Sequence, residues 1–215
     1  MAAEINRDNI VDFGRKMVAK NLTTGTGGNL SICDREAELI AVTPSGIPYE
    51  NMNPEDIVIT DFSGEIVEGE CKPTSELSLH RRVYQVREDV GAVVHTHSTF
   101  ATVLSCLGAE LPPVHYLIAA AGGSRVPVAD YARYGTEELA ENAVSSLGQN
   151  FKAVLLANHG LLAAGENLSA AFEVAETIEF VAELYYRSKN MGDPQFLSQD
   201  QMSEVTAAFE SYGQH

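Results

Sequence analysis

The sequence predicts an α/β protein built on a central sheet. Three observations carry that expectation: long segments with helical apolar spacing, short strand-like runs between them, and glycine- or proline-bearing turns separating the two. The 215 residues suit a single domain spanning 1–215, because no stretch has the composition of a linker. With 45% hydrophobic and 20% charged residues, the chain can bury a sizeable core.

Taken in order, Ile10, Val11, Gly14, Met17, Val18 and Leu22 follow helical spacing, so residues 5–22 are expected to form an amphipathic helix. Thr23-Thr24-Gly25-Thr26-Gly27-Gly28-Asn29 is too glycine-rich for helix or ordinary strand. Residues 39–43 and 57–61 read as strands, and Asp61-Phe62-Ser63-Gly64 as a turn into another at 65–67. Residues 75–87 read as helix. Gly91-Ala92-Val93-Val94-His95-Thr96-His97 reads as a buried strand with a polar end, and Ser98 could cap a helix running to 107. Further strands are expected at 124–128 and 153–157, and helices at 135–147 and 168–189. The second of these helices has Leu168, Ala171, Phe172, Ala175, Ile178, Ala182 and Tyr185 on one face. Asn167 is placed to cap it and Gly192-Asp193-Pro194 to stop it. A last helix covers 199–211.

Composition excludes several classes of function. A net charge of −16 opposes non-specific nucleic-acid binding and anionic membranes. No apolar run reaches the 18 or so residues of a membrane span, and the N-terminal residues lack the apolar core of a signal peptide. The three cysteines, Cys33, Cys71 and Cys106, form no Cys-x-x-Cys pair. They fit a reducing cytoplasm better than a disulfide framework or a thiolate metal site.

The chemistry concentrates in histidines. Residues two apart on a strand face the same way, so His95 and His97 can hold one metal ion. His159 follows a second buried run, Ala153-Val154-Leu155-Leu156-Ala157, and precedes a glycine that lets the chain turn. Three imidazoles with an open fourth position form the ligand set of catalytic zinc. His80 and His215 read as structural or incidental. Glu76 lies at a helix start, where an acid commonly caps but could also serve as a base beside a metal. Thr74 and Ser75 offer hydroxyls next to helix N–H groups, a setting that suits phosphate. Gly27-Gly28-Asn29 and Thr43-Pro44-Ser45-Gly46 could complete such a cradle. Neither is a Walker loop or a dinucleotide fingerprint.

These pieces, in this order, resemble the class II (zinc-dependent) aldolase/epimerase family over nearly the whole chain. The motifs are Gly25-Thr26-Gly27-Gly28-Asn29-Leu30-Ser31, Thr43-Pro44-Ser45-Gly46-Ile47-Pro48-Tyr49, Pro73-Thr74-Ser75-Glu76, Val94-His95-Thr96-His97, His115-Tyr116-Leu117-Ile118-Ala119-Ala120-Ala121-Gly122-Gly123 and Asn158-His159-Gly160-Leu161. The resemblance implies a central, largely antiparallel sheet sandwiched between helix layers, and a homotetramer with active sites between subunits. It implies one Zn2+ per subunit on His95, His97 and His159, with Glu76 as the fourth, displaceable ligand and as the base. Gly28, Asn29, Ser45, Gly46, Thr74 and Ser75 would hold a phosphate. Tyr116 would reach a neighbour's site as a proton donor or acceptor, and Tyr134 and Tyr212 would border the aldehyde pocket.

The implied reaction is reversible cleavage of a ketose 1-phosphate, such as L-fuculose 1-phosphate, to dihydroxyacetone phosphate and an aldehyde such as L-lactaldehyde. Cleavage of 5-methylthioribulose or 5-deoxyribulose 1-phosphate is an alternative, as are 4-epimerisation of ribulose 5-phosphate and dehydration of methylthioribulose 1-phosphate. A non-enzymatic metal-binding interaction domain is the alternative from another class.

Overall fold

The structure, a computed structural model, describes residues 6–210, with side chains through residue 208. The strands are β1 (Asn29–Asp34), β2 (Leu39–Val42), β3 (Val58–Asp61), β4 (Ile66–Glu68), β5 (Ala92–Thr96), β6 (Val128–Ala129), β7 (Ala153–Leu156) and β8 (Gly160–Gly165). The helices are α1 (Arg7–Ala19), α2 (Leu77–Val86), α3 (Thr99–Cys106), α4 (Glu137–Leu147), α5 (Leu168–Met191) and α6 (Gln199–Glu210). One sheet runs β4-β3-β2-β1-β5-β8-β7-β6. Every neighbouring pair is antiparallel except β6 and β7.

Alternation along the strands divides the apolar residues between two cores. Ala92, Val94, Leu155, Leu161 and Ala163 pack with residues of α1, α3 and α5. Val93, Val154, Leu156, Leu162 and Ala164 pack with Leu79, Val83 and Tyr84 of α2 and with Leu139, Ala143 and Leu147 of α4. The mixed α/β sandwich and its largely antiparallel sheet therefore match the expectation. No helix among the described residues is long and apolar enough to cross a membrane.

Two strands, β1 and β8, escape the sequence reading, although they flank β5 on either side. β8 is Gly-Leu-Leu-Ala-Ala-Gly, buried throughout, so it shows neither alternation nor β-branched residues. β1 emerges directly from the glycine-rich stretch. The strand expected at 124–128 is shorter and displaced: only Val128 and Ala129 pair with β7. Pro127 has no N–H to give a ladder, and Val126 instead bridges Leu111.

The start of α3 also differs from expectation. Ser98 holds the cap position, but its side chain makes no capping bond. Glu179 of α5 accepts from the backbone N–H of Phe100 at 2.8 Å and of Ala101 at 2.9 Å. This carboxylate both neutralises the positive helix end and ties α3 to α5. Glu179→Ala should lower stability by about 1–2 kcal/mol, read as a lower urea midpoint at an unchanged m-value.

Candidate metal centre and cleft

β5 is the innermost strand at the site, with all five of its residues buried. His95 is its fourth residue, and His97 follows its last. The Nδ1–H of His95 donates to the Leu161 carbonyl of β8 at 2.9 Å. That bond fixes the tautomer and leaves the Nε2 lone pair free. His159 lies in the tight turn between β7 and β8. The turn is made by Asn158 in the left-handed region at φ 55°, a conformation asparagine tolerates.

Two glycines let the neighbouring strands close on the end of β5. At Gly28 (φ +67°) a Cβ would meet the His95 carbonyl oxygen at 2.5 Å. At Gly160 a Cβ would meet the Thr96 carbonyl oxygen at 2.3 Å. Any side chain at either place would push the histidine-bearing strand end away from its partners.

Glu76 caps α2 by position only, because its side chain makes no capping bond. The carboxylate turns inward instead. Its Oε2 lies 3.2 Å from His95 Nε2 and accepts from Asn29 Nδ2 at 2.9 Å. Its Oε1 lies 3.3 Å from His159 Nε2. His95 Nε2 and His97 Nε2 are 3.0 Å apart. One ligand atom from each of the four residues lies within 4.8 Å of all the others. For ligand bonds of about 2.0–2.2 Å, the edges of a tetrahedron are about 3.3–3.6 Å, close to these spacings. Oε1 of Glu76 is buried without a hydrogen-bond partner, despite its nearness to His159. A buried carboxylate oxygen is costly in that condition, and a cation would satisfy it. The donor set therefore fits a small divalent cation.

Electrostatics agree. Burial, aided by the neighbouring His95, pushes His97 and His159 down to about 4, so both are neutral with lone pairs available at pH 7. Burial alone would raise Glu76, but His95, His159 and the Asn29 amide together hold it below the usual carboxylate range. Burial would lower His95, and the facing Glu76 charge reverses the direction.

Beside this cluster opens a cleft of about 560 Å³. Gly28, Asn29, Ser45, Gly46, Thr74, Ser75 and Tyr134 all line it, as do Glu76, His97 and His159. Two loops form its far rim. They are zipped together by Ser45 N–H to the Lys72 carbonyl at 2.9 Å and Thr74 N–H to the Thr43 carbonyl at 3.0 Å. Those bonds hold the Ser45 loop against the Thr74–Ser75 loop. The Tyr49 hydroxyl donates to the Gly28 carbonyl at 2.7 Å and pins the glycine loop opposite. Among the described residues no lysine or arginine lines the cleft; hydroxyls and backbone N–H groups are the donors it offers beside the histidines.

Some residues fall elsewhere. Tyr116 begins a 3-10 helix, Tyr116–Ala121, stacks on His115 and does not line the cleft of its own chain. Tyr212 and His215 lie outside the described residues. His80, read as structural or incidental, is fully buried and hydrogen-bonded to Asn29. Sequence reasoning missed Tyr131 and Thr26 on the cleft wall. For Tyr131 a signal existed: it is a second aromatic close to Tyr134 in a loop of otherwise small or charged residues.

The family described as Class II Aldolase and Adducin N-terminal domain matches residues 8–186. The chain is 49% identical over 214 residues to a 5-deoxy-D-ribulose 1-phosphate aldolase of Bacillus thuringiensis serovar kurstaki, covering 100% of both. It is 41% identical over 205 residues to the L-fuculose phosphate aldolase of Escherichia coli strain K12, covering 95% of this chain and 94% of that one. A solved structure of an L-fuculose 1-phosphate aldolase superposes with a TM-score of 0.93 at 46% identity, covering 98% of each chain.

Proposed function

Because this chain belongs to the class II aldolase and adducin N-terminal domain family, and its relatives are lyases of that class, we propose that it is a zinc-dependent aldolase cleaving a ketose 1-phosphate to dihydroxyacetone phosphate and a short aldehyde. The observation that carries this reading is the convergence of three imidazoles and one carboxylate on a single point of a cleft rimmed with hydroxyls. His95, His97 and His159 are the proposed permanent ligands, with Glu76 the displaceable fourth. Three imidazoles and a carboxylate suit zinc among the divalent cations.

A cation bound there supplies Lewis acidity that draws electrons from the substrate ketone. The chain's own residues do the rest. Ser45, Thr74 and Ser75, with the backbone at Gly28 and Gly46, hold the phosphate through neutral donors. That contact fixes the ketone end toward the histidines. The Glu76 carboxylate, as the displaceable member of the set, would move the proton on the carbon beside the carbonyl. Tyr116 of a neighbouring subunit is the proposed proton carrier at the aldehyde oxygen. Its half-exposed ring, set away from its own cleft, favours a homotetramer with shared sites. Tyr131 and Tyr134 border the space left for the aldehyde. A single domain and a cytoplasmic setting complete the proposal, the latter favoured by three free cysteines.

L-Fuculose 1-phosphate is the first substrate reading. The 49% identity over the full length of the Bacillus relative favours 5-deoxyribulose 1-phosphate as a second. The two differ by one CHOH unit in the aldehyde, so a hydrogen-bonding group placed for that hydroxyl is what would discriminate them. Comparing kcat/KM for fuculose, deoxyribulose, methylthioribulose and ribulose 1-phosphates, with dihydroxyacetone phosphate as the readout, separates them. Absence of dihydroxyacetone phosphate from every member of the panel would end the aldolase proposal.

A further inference from the structure

Behind Glu76 runs a buried chain of side chains that the proposed reaction does not by itself require. Asn29 Nδ2 donates to Glu76 Oε2 at 2.9 Å. Asn29 Oδ1 is 2.5 Å from His80 Nε2. His80 Nδ1 is 2.6 Å from Ser31 Oγ, which is 2.6 Å from the Tyr84 hydroxyl. Asn29 is 4% exposed, Ser31 and His80 are 0% and Tyr84 is 1%. Four polar side chains are thus sealed between β1 and α2, inside an otherwise apolar layer.

The direction of every bond follows from its end. A carboxylate can only accept, so Asn29 must present its NH2 to Glu76 and its oxygen to His80. His80 must therefore carry its proton on Nε2 and accept at Nδ1. The Ser31 proton goes to that nitrogen, and Tyr84 donates to Ser31. Burial, chiefly, and the neighbouring His95 push His80 down to about 3, so the ring is neutral at pH 7 with a single N–H to give. All the donors point toward the carboxylate, an arrangement in which each bond polarises the next. Without the His80 N–H, the Asn29 amide could turn and set its oxygen against the Glu76 oxygen.

Building on the aldolase reading above, we propose that His80 is a positioning residue. Held in its Nε2–H tautomer by Ser31 and Tyr84, it locks the Asn29 amide and so fixes the direction of the Glu76 carboxylate for proton transfer.

The tautomer is tested first, on the unmodified protein labelled with nitrogen-15 histidine. Long-range proton–nitrogen correlation at neutral pH should show His80 neutral with Nε2 protonated. An Nδ1-protonated or doubly protonated ring overturns the proposal, whatever the enzyme's activity. The second arm compares His80→Asn, which lacks a donor at the Nε2 position, with His80→Gln, whose amide can reach it. His80→Asn should lower kcat for substrate proton exchange about 10- to 100-fold with KM little changed, and His80→Gln should recover most of that loss. Wild-type exchange in His80→Asn, or equal losses in both variants, overturns the positioning role. Inactivity of the unmodified protein on every ketose 1-phosphate would instead defeat the aldolase reading, and the tautomer result would still stand or fall by itself.

Discussion

His95→Ala is expected to empty the metal site and cut ketose 1-phosphate cleavage at least about 10³-fold, the several kcal/mol that a Lewis acid contributes to such a step. His95 is the best-fixed of the three imidazoles. It is wholly buried, its Nδ1–H is tied to the Leu161 carbonyl, and its Nε2 faces both His97 and Glu76. Its removal also strips Glu76 of the main attraction opposing the cost of burying a charge. Alanine leaves a cavity inside the sheet, so a thermal melt must accompany the assay. Metal analysis of the purified variant, with activity measured at saturating added zinc, separates lost ligation from lost folding. A folded, metal-free His95→Ala protein that turns over normally would remove the metal centre from the mechanism.

Glu76→Gln is expected to keep most of the cation while slowing solvent exchange of the substrate's carbon-bound proton about 10²- to 10⁴-fold. Glutamine matches the shape, and three imidazoles remain. It lacks the charge needed to accept a proton. Deuterium incorporation into dihydroxyacetone phosphate reads this step apart from bond cleavage. Exchange at the wild-type rate would take Glu76 out of the role of base. The His95, His159 and Asn29 side chains outweigh the burial of Glu76 and hold it below the usual carboxylate range, which favours its charged form.

Much of this site is legible in the sequence. His-x-His at the end of an apolar run states a shared direction, since strand geometry leaves few alternatives. His159 is equally readable, as a second buried run ending in histidine and glycine. β8 is not readable, because a strand buried throughout has no alternation to display and glycines at its ends resemble a turn, while β1 is hidden by the glycine-rich stretch it grows out of. The cap of α3 is invisible for another reason. Ser98 has the local chemistry of a cap, but Glu179 from a distant helix takes the position, and no window of neighbouring residues contains both. His80 shows the same limit. A lone histidine on a helix carries no sign that its partners are Ser31 and Asn29, some fifty positions upstream.

The placement of His95 and His97 at the tip of the innermost strand has a thermodynamic corollary. A cation there would join residues from β5, the β7–β8 turn and the start of α2, segments far apart along the chain that only the assembled fold brings together. Its binding energy would then add to the stability of the whole domain rather than to one loop, by an amount growing with the logarithm of free metal concentration. A zinc titration should move the entire melting transition upward as a single step, while chelation lowers it without creating a separate early phase.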